Sequence, residues 1–335
     1  MKKLINKPED FVKETMAGII AAYGDRVKLL NDDFRVLLSN YPAPEGKVGV
    51  VTAGGSGHLP VFLGYVGDGM LDGCSVGNVF ASPAYSKIAD MIRACDRGAG
   101  VLCLYGNYGG DKMNFNQAIE DVDFDDIKCT SVLVTDDVAS APNAEKNKRR
   151  GVAGMVFAYK VAGAAAKRMM NLEEVTAVAQ KAVDNTRTMG VALTPCIVPE
   201  VGKATFSVNE DEIEIGMGIH GEKGIEVRKM MTANEVADVV MEKVLSDLPI
   251  EAGEEIAVMV NGLGGTPLEE LFVVYNRISQ ILNEKGIKAY MPHIGEFATS
   301  MEMAGLSVSI MKLDEQLKEL MADPANTPFY TNHNK

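Results

Sequence analysis

The chain has 335 residues, with 33 Lys and Arg against 46 Asp and Glu and a formal net charge of −13. No long Lys/Arg block interrupts that acidic balance, so only a local basic patch could supply the footprint of a nucleic-acid binder, and 6% aromatics without a Trp argue against a stacking platform for single strands. The 47% apolar and 24% charged residues match ordinary soluble domains and exclude disordered, collagen-like and coiled-coil readings; the outlier is glycine, at 33 residues, about 10% where roughly 7% is usual.

In chain order, apolar residues at helical spacing (Phe11, Met16, Ile19, Ile20, Tyr23) predict an opening amphipathic helix over Asp10 to Tyr23. Lys47 to Ala53 is a β-branched apolar run entering Gly54-Gly55-Ser56-Gly57-His58, which reads as a strand feeding a glycine turn. Gly100 to Tyr105 repeats the arrangement into Gly106-Asn107-Tyr108-Gly109-Gly110-Asp111, and Cys129 to Thr135 repeats it into Asp136-Asp137. Helical patterns at Pro83 to Cys95, Phe115 to Val122 and Gly151 to Met170 accompany the three strands, so this half is expected to hold a mostly parallel sheet with ligands beyond its carboxyl edge.

After a helix near Leu172 to Thr188 the pattern changes. Thr205 to Val208 and Glu212 to Ile215 flank a polar turn and read as an antiparallel hairpin. A helix at Ala233 to Leu245, a strand at Glu255 to Val260 entering Asn261-Gly262-Leu263-Gly264-Gly265-Thr266-Pro267, a further helix and a strand at Leu306 to Leu313 complete a second domain with a mixed sheet. The expected fold is thus two α/β domains, residues 1–190 and 191–335, with the boundary near 185 to 200.

The five cysteines (Cys74, Cys95, Cys103, Cys129, Cys196) lie singly in apolar runs and read as buried reduced thiols. No pair has CxxC spacing and the four histidines lack HExxH spacing, so no zinc site is expected. Met1 to Ile5 opens like a signal peptide, but Asn6-Lys7-Pro8-Glu9-Asp10 stops it before an apolar core forms. The longest apolar helix pattern, Gly151 to Ala166, is broken by Lys160 and too short to span a bilayer. A cytoplasmic location is the expectation.

Three segments carry chemistry. His58 at a glycine turn after a strand has backbone N–H groups beside it and little bulk over it, which suits an oxygen-rich small ligand; the alternative is a turn whose glycines only supply positive φ. The turn lacks GxGxxG, because Pro60 stands where the third glycine belongs, and GxxxxGK[ST] is absent, so neither common nucleotide device is present. Asp111 is either a helix N-cap or a carboxylate converging with His58, and Asp136-Asp137 read as caps. In Gly216-Met217-Gly218-Ile219-His220-Gly221-Glu222-Lys223-Gly224, glycines expose His220 on both sides, and a neutral imidazole is a usable nucleophile or base. His293 and His333 read as structural and tail residues, Thr266-Pro267 as N-cap and first helical residue, and the 19 Met as core filler.

Taken together, Lys2 to Asn6, Gly54 to Pro60, Asn107 to Phe115, Arg149 to Gly154, Gly216 to Gly224 and Asn261 to Tyr275 resemble the dihydroxyacetone kinase family, specifically the substrate-binding K subunit of the phosphotransferase-linked enzyme. The resemblance implies a short ketose held covalently, the imidazole of His220 adding to its carbonyl to give a hemiaminal. It implies that His58 and Asp111 bind and activate the hydroxyl that receives the phosphoryl group, with Gly55, Ser56, Gly57 and Gly106 completing the substrate-binding set. It implies no cofactor on this chain: ADP or ATP with magnesium sits on a separate helical L subunit, recharged by a phosphocarrier subunit, and the K subunit is a homodimer. Single-chain relatives append the helical domain, for which a chain ending at Lys335 leaves no room.

Two positions depart from the family pattern. Leu59 stands where Glu is common and Gly106 where Lys is common; losing the cationic side chain is expected to enlarge the pocket, toward a longer ketose such as the four-carbon erythrulose or toward relaxed selectivity on a dihydroxyacetone-like substrate. A competing reading within the same resemblance is a ketose-sensing transcriptional co-activator; the presence of Asp111 favours the kinase subunit. An apolar lipid- or ligand-storage pocket is disfavoured by the polar glycine-rich turns.

Overall fold

The structure is a computed structural model and describes residues 2–333; Met1, where the leader reading begins, and Lys335, where the length reading ends, lie outside them. The chain forms two compact units that interleave in sequence. Among the described residues the first comprises 2–134, 156–182 and 317–333, the second 135–155 and 183–316. A single cut at residue 190 therefore misassigns both a segment before it and the C-terminal tail.

In the first unit α1 (Phe11–Tyr23) buries Val12, Met16 and Ile19, one stripe at helical spacing. β1 (Val27–Leu30) and β2 (Asp33–Ser39) form an antiparallel pair turning through Asn31 and Asp32, both at positive φ. β3 (Gly49–Ser56), β4 (Gly73–Val79), α2 (Tyr85–Cys95), β5 (Val101–Gly106), α3 (Gly109–Asp123) and β6 (Cys129–Val134) follow. The sheet order is β1-β2-β4-β3-β5-β6, with β4, β3, β5 and β6 mutually parallel. β3 and β5 are buried along their whole length, as an interior parallel strand must be. The connection leaving β3 runs to β4 on one side, and the one leaving β5 runs through α3 to β6 on the other. The crevice beyond the carboxyl ends of β3 and β5 is thus where the winding reverses, the place where open α/β sheets bind ligands. α4 (Met155–Lys167) and α5 (Leu172–Asp184) lie almost wholly in this unit, and the predicted helix from Gly151 starts four residues late.

In the second unit β7 (Thr186–Ala192), β8 (Glu212–Ile215), β9 (Glu226–Lys229), α6 (Ala233–Asp247), β10 (Glu255–Gly262), α7 (Leu268–Glu284), β11 (Lys288–Gly295) and β12 (Gly305–Leu313) build a mixed sheet of order β11-β10-β12-β7-β8-β9. Only β10 and β11 run parallel within it. Val236, Val240 and Val244 of α6 and Leu271, Val274 and Ile278 of α7 pack in one core with Ile256, Val258 and Ile310. The expected hairpin is corrected: β8 pairs with β9, and residues 205–208 are not a strand. Thr266 does not cap α7; its hydroxyl donates to the Gly305 carbonyl at 2.6 Å and accepts from the Gly305 N–H at 2.7 Å, tying the loop to β12. Finally α8 (Glu315–Ala322) leads the chain back into the first unit.

Residues 135–155 join the second unit through backbone and charge. Val138 N–H donates to the Thr188 carbonyl and Thr188 N–H to the Asp136 carbonyl, extending β7 sideways. Arg149, 1% exposed, grips Asp247 with two guanidinium nitrogens at 2.8 and 2.6 Å, and Arg187 donates to the same carboxylate. Burial raises the Asp247 carboxyl, but these hydrogen bonds outweigh it and hold the group below its ordinary value. Asp247→Ala leaves two buried guanidinium groups without their shared anion and is expected to cost about 3–5 kcal/mol, measured by denaturant unfolding. A loss below about 1 kcal/mol would place this trio with surface ion pairs.

Four cysteines are buried; Cys129 is half-buried, and none of the five is in a disulfide. Among the described residues no helix is long and apolar enough to cross a membrane, and no three His, Cys, Asp or Glu side chains gather to hold a metal ion.

Candidate functional site

β3 runs through Ser56, so Gly54 and Gly55 are strand residues and only Gly57, at φ +96°, supplies the turn. Their smallness has a packing cause. A Cβ on Gly54 would collide with the Phe62 ring, and one on Gly55 with the backbone of Phe80 and Ala81. Those two phenylalanines enclose His58, which is 1% exposed. Phe80 stacks on the imidazole with ring centroids 4.8 Å apart, and Phe62 meets it edge-on at 5.9 Å. Both phenylalanines sit at positive φ, +71° for Phe62 and +59° for Phe80, a conformation bulky residues rarely adopt and that clusters at functional sites.

Asp111 lies in the first turn of α3, three residues after Tyr108, which occupies the N-cap position. The N-cap reading for Asp111 is therefore wrong in position. It is buried at 7% exposure, and negative charge in a first turn is stabilised by the helix N-terminus. Gly110 keeps that turn open to Ser82, whose hydroxyl lies 2.8 Å from where a Cβ would be. His58 follows β3 and Asp111 follows β5, so the two flank the winding reversal of the same sheet. Ser56 and Gly106, the last residues of those strands, are buried at the same edge.

His220 belongs to the second unit, on the loop between β8 and β9 that begins where Ile215 pairs with Glu226. The glycines shape this loop. Gly216 and Gly221 take positive φ, at +83° and +82°, and a Cβ on Gly218 would collide with both Glu222 and Arg150. The chain folds back so that Gly221 N–H donates to the Gly218 carbonyl at 3.0 Å and the Glu222 carboxylate meets His220 twice. Glu222 Oε2 accepts from the His220 backbone N–H at 2.9 Å, and Oε1 lies 2.8 Å from the ring Nδ1. The imidazole side chain remains 24% exposed.

Behind Glu222 stands Arg150. Its Nη1 is 3.9 Å from Glu222 Oε2, its Nε donates to Asp137 Oδ2 at 2.8 Å, and Nη2 donates to the Gly216 carbonyl at 3.2 Å. Burial raises the Glu222 carboxyl, but the hydrogen bonds and charge of His220 outweigh it and hold the group at about 2. Asp137 is the reverse case: burial pushes it up to about 7 despite the Arg150 guanidinium. Asp136 accepts the Val152 and Gly154 N–H groups at 2.8 Å each. Neither aspartate caps a helix that follows it directly, as the sequence reading had it.

His58 and Asp111 are thus brought to one sheet edge and His220 is given a shaped loop of its own. Sequence reasoning gave Glu222 and Arg150 no role of their own and read Asp137 only as a cap. The usable signal was Glu222, two residues from His220 inside a glycine-bounded turn. His293 is structural: it sits in β11 edge-on to Phe297 at 5.7 Å, and burial pushes its imidazole down to about 4.

A two-unit α/β chain with these turns matches known proteins along its length. The chain belongs to the Dak1 domain family, whose profile fits residues 17–329. It is a kinase-type phosphotransferase subunit. It is 42% identical over 330 residues to the dihydroxyacetone-binding subunit DhaK of PTS-dependent dihydroxyacetone kinase 2 of Listeria innocua, covering 98% of this chain and 99% of that one. To the D-erythrulose kinase of Mycolicibacterium smegmatis it is 43% identical over 98% of this chain and 56% of that one. Among solved structures, the dihydroxyacetone kinase operon co-activator Dha-DhaQ superposes with a TM-score of 0.90 at 30% identity, covering 98% of this chain and 100% of that one.

Proposed function

We propose that this chain is the ketose-binding subunit of a dihydroxyacetone-type kinase, and that it holds its substrate as a hemiaminal on His220. The observation that carries this reading is the His220 loop: an accessible imidazole on a glycine-bounded turn, engaged through Nδ1 at 2.8 Å. Addition of a ring nitrogen requires an electrophilic carbonyl carbon, so the device accepts ketoses and refuses polyols that match them in size and hydroxyl pattern. His58 and Asp111 serve the hydroxyl to be phosphorylated: His58 holds it and Asp111 takes its proton as phosphoryl transfer proceeds. The backbone at Gly55, Ser56, Gly57 and Gly106 completes the contacts. Phosphoryl transfer otherwise asks chiefly for positioning and charge, supplied here by an L-type partner carrying ADP or ATP with magnesium and recharged by a phosphocarrier subunit. The chain acts as a homodimer in the cytoplasm.

The substrate is a ketose larger than dihydroxyacetone, with erythrulose the expected preference. Gly106 and Leu59 support this by removing a cation and a carboxylate from positions where the family commonly has them, and the similarity to a D-erythrulose kinase agrees. With an L-type subunit and phosphoryl donor supplied, kcat/KM is expected to be higher for erythrulose than for dihydroxyacetone. A strong preference for the three-carbon ketose would overturn the enlarged pocket and leave the hemiaminal reading intact.

The likeness to the co-activator Dha-DhaQ favours a second reading, a ketose sensor without turnover. Asp111 weighs against it, because a sensor has no proton to remove from the substrate hydroxyl. Phosphoryl transfer in the reconstituted mixture decides between the two.

A further inference from the structure

We propose, resting on the role given to His58 above, that residues 324–330 form a strap that positions His58 for phosphoryl transfer, and that Thr327 is the positioning residue that fastens it. Both sides of the contact belong to the first unit. The strap arrives from α8, and the loop it crosses, residues 60–71, leads from His58 to β4.

The loop is shaped to receive the strap. Three of its glycines, Gly64, Gly67 and Gly69, stand where a Cβ would strike the Phe329 ring, the Asn326 carbonyl and the Pro324 carbonyl respectively. Asp68 and Asn326 exchange backbone hydrogen bonds, the Asp68 N–H donating at 3.0 Å and the Asn326 N–H at 2.9 Å. The Gly64 carbonyl accepts the Thr327 hydroxyl at 2.7 Å and the Phe329 N–H at 3.2 Å. Thr327 is fully buried, and its oxygen also accepts the Tyr330 N–H at 3.0 Å, which closes the strap into a tight turn. Tyr330 in turn meets Tyr65 edge-on at 6.3 Å. Beyond the turn, β13 (Ala325–Asn326) pairs with β14 (Thr331–Asn332), and the Asn332 amide donates to the carbonyls of Met321, Ala322 and Asp323 at the end of α8. The last residues of a domain fray unless they are tied down, and here the buried ties converge on one loop.

From Gly64 to His58 the path is short. The Gly64 N–H donates to the Pro60 carbonyl at 2.9 Å and the Val61 N–H to the His58 carbonyl at 3.0 Å, so residues 58–64 turn as one tight piece. Within it Phe62, at φ +71°, presents its edge to the His58 imidazole. A bulky residue keeps such a φ only where its surroundings over-determine it, and the strap fixes Gly64, two residues away. Releasing the strap therefore loosens one wall of the slot that orients the imidazole.

The test uses the full chain, with Thr327→Val to remove the hydroxyl at nearly constant shape and Thr327→Ser to retain it. The chain has four histidines, and in protein labelled with 13C and 15N at histidine the His58 ring signals are assigned by their absence in His58→Gln. In Thr327→Val these signals are expected to leave the positions imposed by the Phe62 and Phe80 rings, and amide exchange in residues 60–71 to quicken about tenfold, the loss of one buried hydrogen bond. With an L-type subunit and phosphoryl donor supplied, kcat is expected to fall about tenfold with KM little changed, because ketose capture belongs to His220 in the second unit. Thr327→Ser is expected to restore both readouts. Where Thr327→Val does not fold, Phe329→Ala, which removes a 38% exposed ring lying against Gly64, carries the same measurements. Unmoved His58 signals in a folded variant overturn the strap, whatever the turnover. Displaced signals at wild-type kcat sustain the strap and overturn the role of His58 in transfer.

Discussion

Replacing His220 by Ala is expected to lower kcat/KM for ketose phosphorylation by about 10³-fold or more, because it removes both capture of the substrate and the orientation that capture imposes. The loss has a second signature. An enzyme that recognises its substrate by adding to a carbonyl loses its discrimination against polyols along with its nucleophile, so whatever activity remains in His220→Ala should no longer separate erythrulose from a four-carbon polyol of similar size. The fold is expected to survive, since the side chain is partly exposed and its loop is held by Gly216, Gly218, Gly221 and Glu222 backbone contacts. Steady-state kinetics on both substrate classes checks this. Selectivity preserved at reduced rate would mean that His220 contributes binding contacts only.

Asp111→Asn is expected to bind and trap ketose normally and to slow phosphoryl transfer by about 10²- to 10⁴-fold, the range of a removed general base. The separation follows from where the residue sits. Asp111 lies in the first turn of α3 at the carboxyl edge of the first unit's sheet, while His220, the proposed trapping residue, belongs to the second unit. Asn preserves the shape in a buried position, so a packing role would leave turnover nearly unchanged. Adduct yield and single-turnover rate, measured on the same preparation, distinguish the outcomes. Wild-type turnover in Asp111→Asn would make its carboxylate a structural group and raise the standing of the sensor reading.

The parallel core of the first unit was legible because β3, β5 and β6 are apolar runs ending in glycine or acidic turns. β4 escaped notice because Gly73-Cys74-Ser75-Val76-Gly77-Asn78-Val79 is small and polar; its glycines pack where Met91, Cys95 and the backbone of Ala81 and Ser82 come close, a tertiary reason invisible along the chain. β7 went unread: its first residues, Thr186 to Thr188, read as part of the preceding helix, since β7 begins two positions after α5 ends at Asp184. The interleaving of the units was illegible too, because it depends on Arg149 reaching Asp247, 98 residues away.

For the site, glycine clusters pointed to the right turns but for mixed reasons. Gly57 serves conformation, Gly54 and Gly55 serve close packing around the His58 slot, and Gly218 makes room for Glu222 and Arg150. Sequence spacing reached the three proposed reacting side chains. It could not reach Arg150 and Asp137, whose relation to His220 exists only once the 135–155 segment lies beside β7.

The central claim is a covalent bond between this chain and its substrate, and a crystal of the wild-type protein soaked with erythrulose or dihydroxyacetone tests it most directly. Continuous electron density from the His220 imidazole to a tetrahedral ketose carbon is the expected result. An intact planar ketose, bound without a bond to His220 or bound elsewhere, would contradict the account.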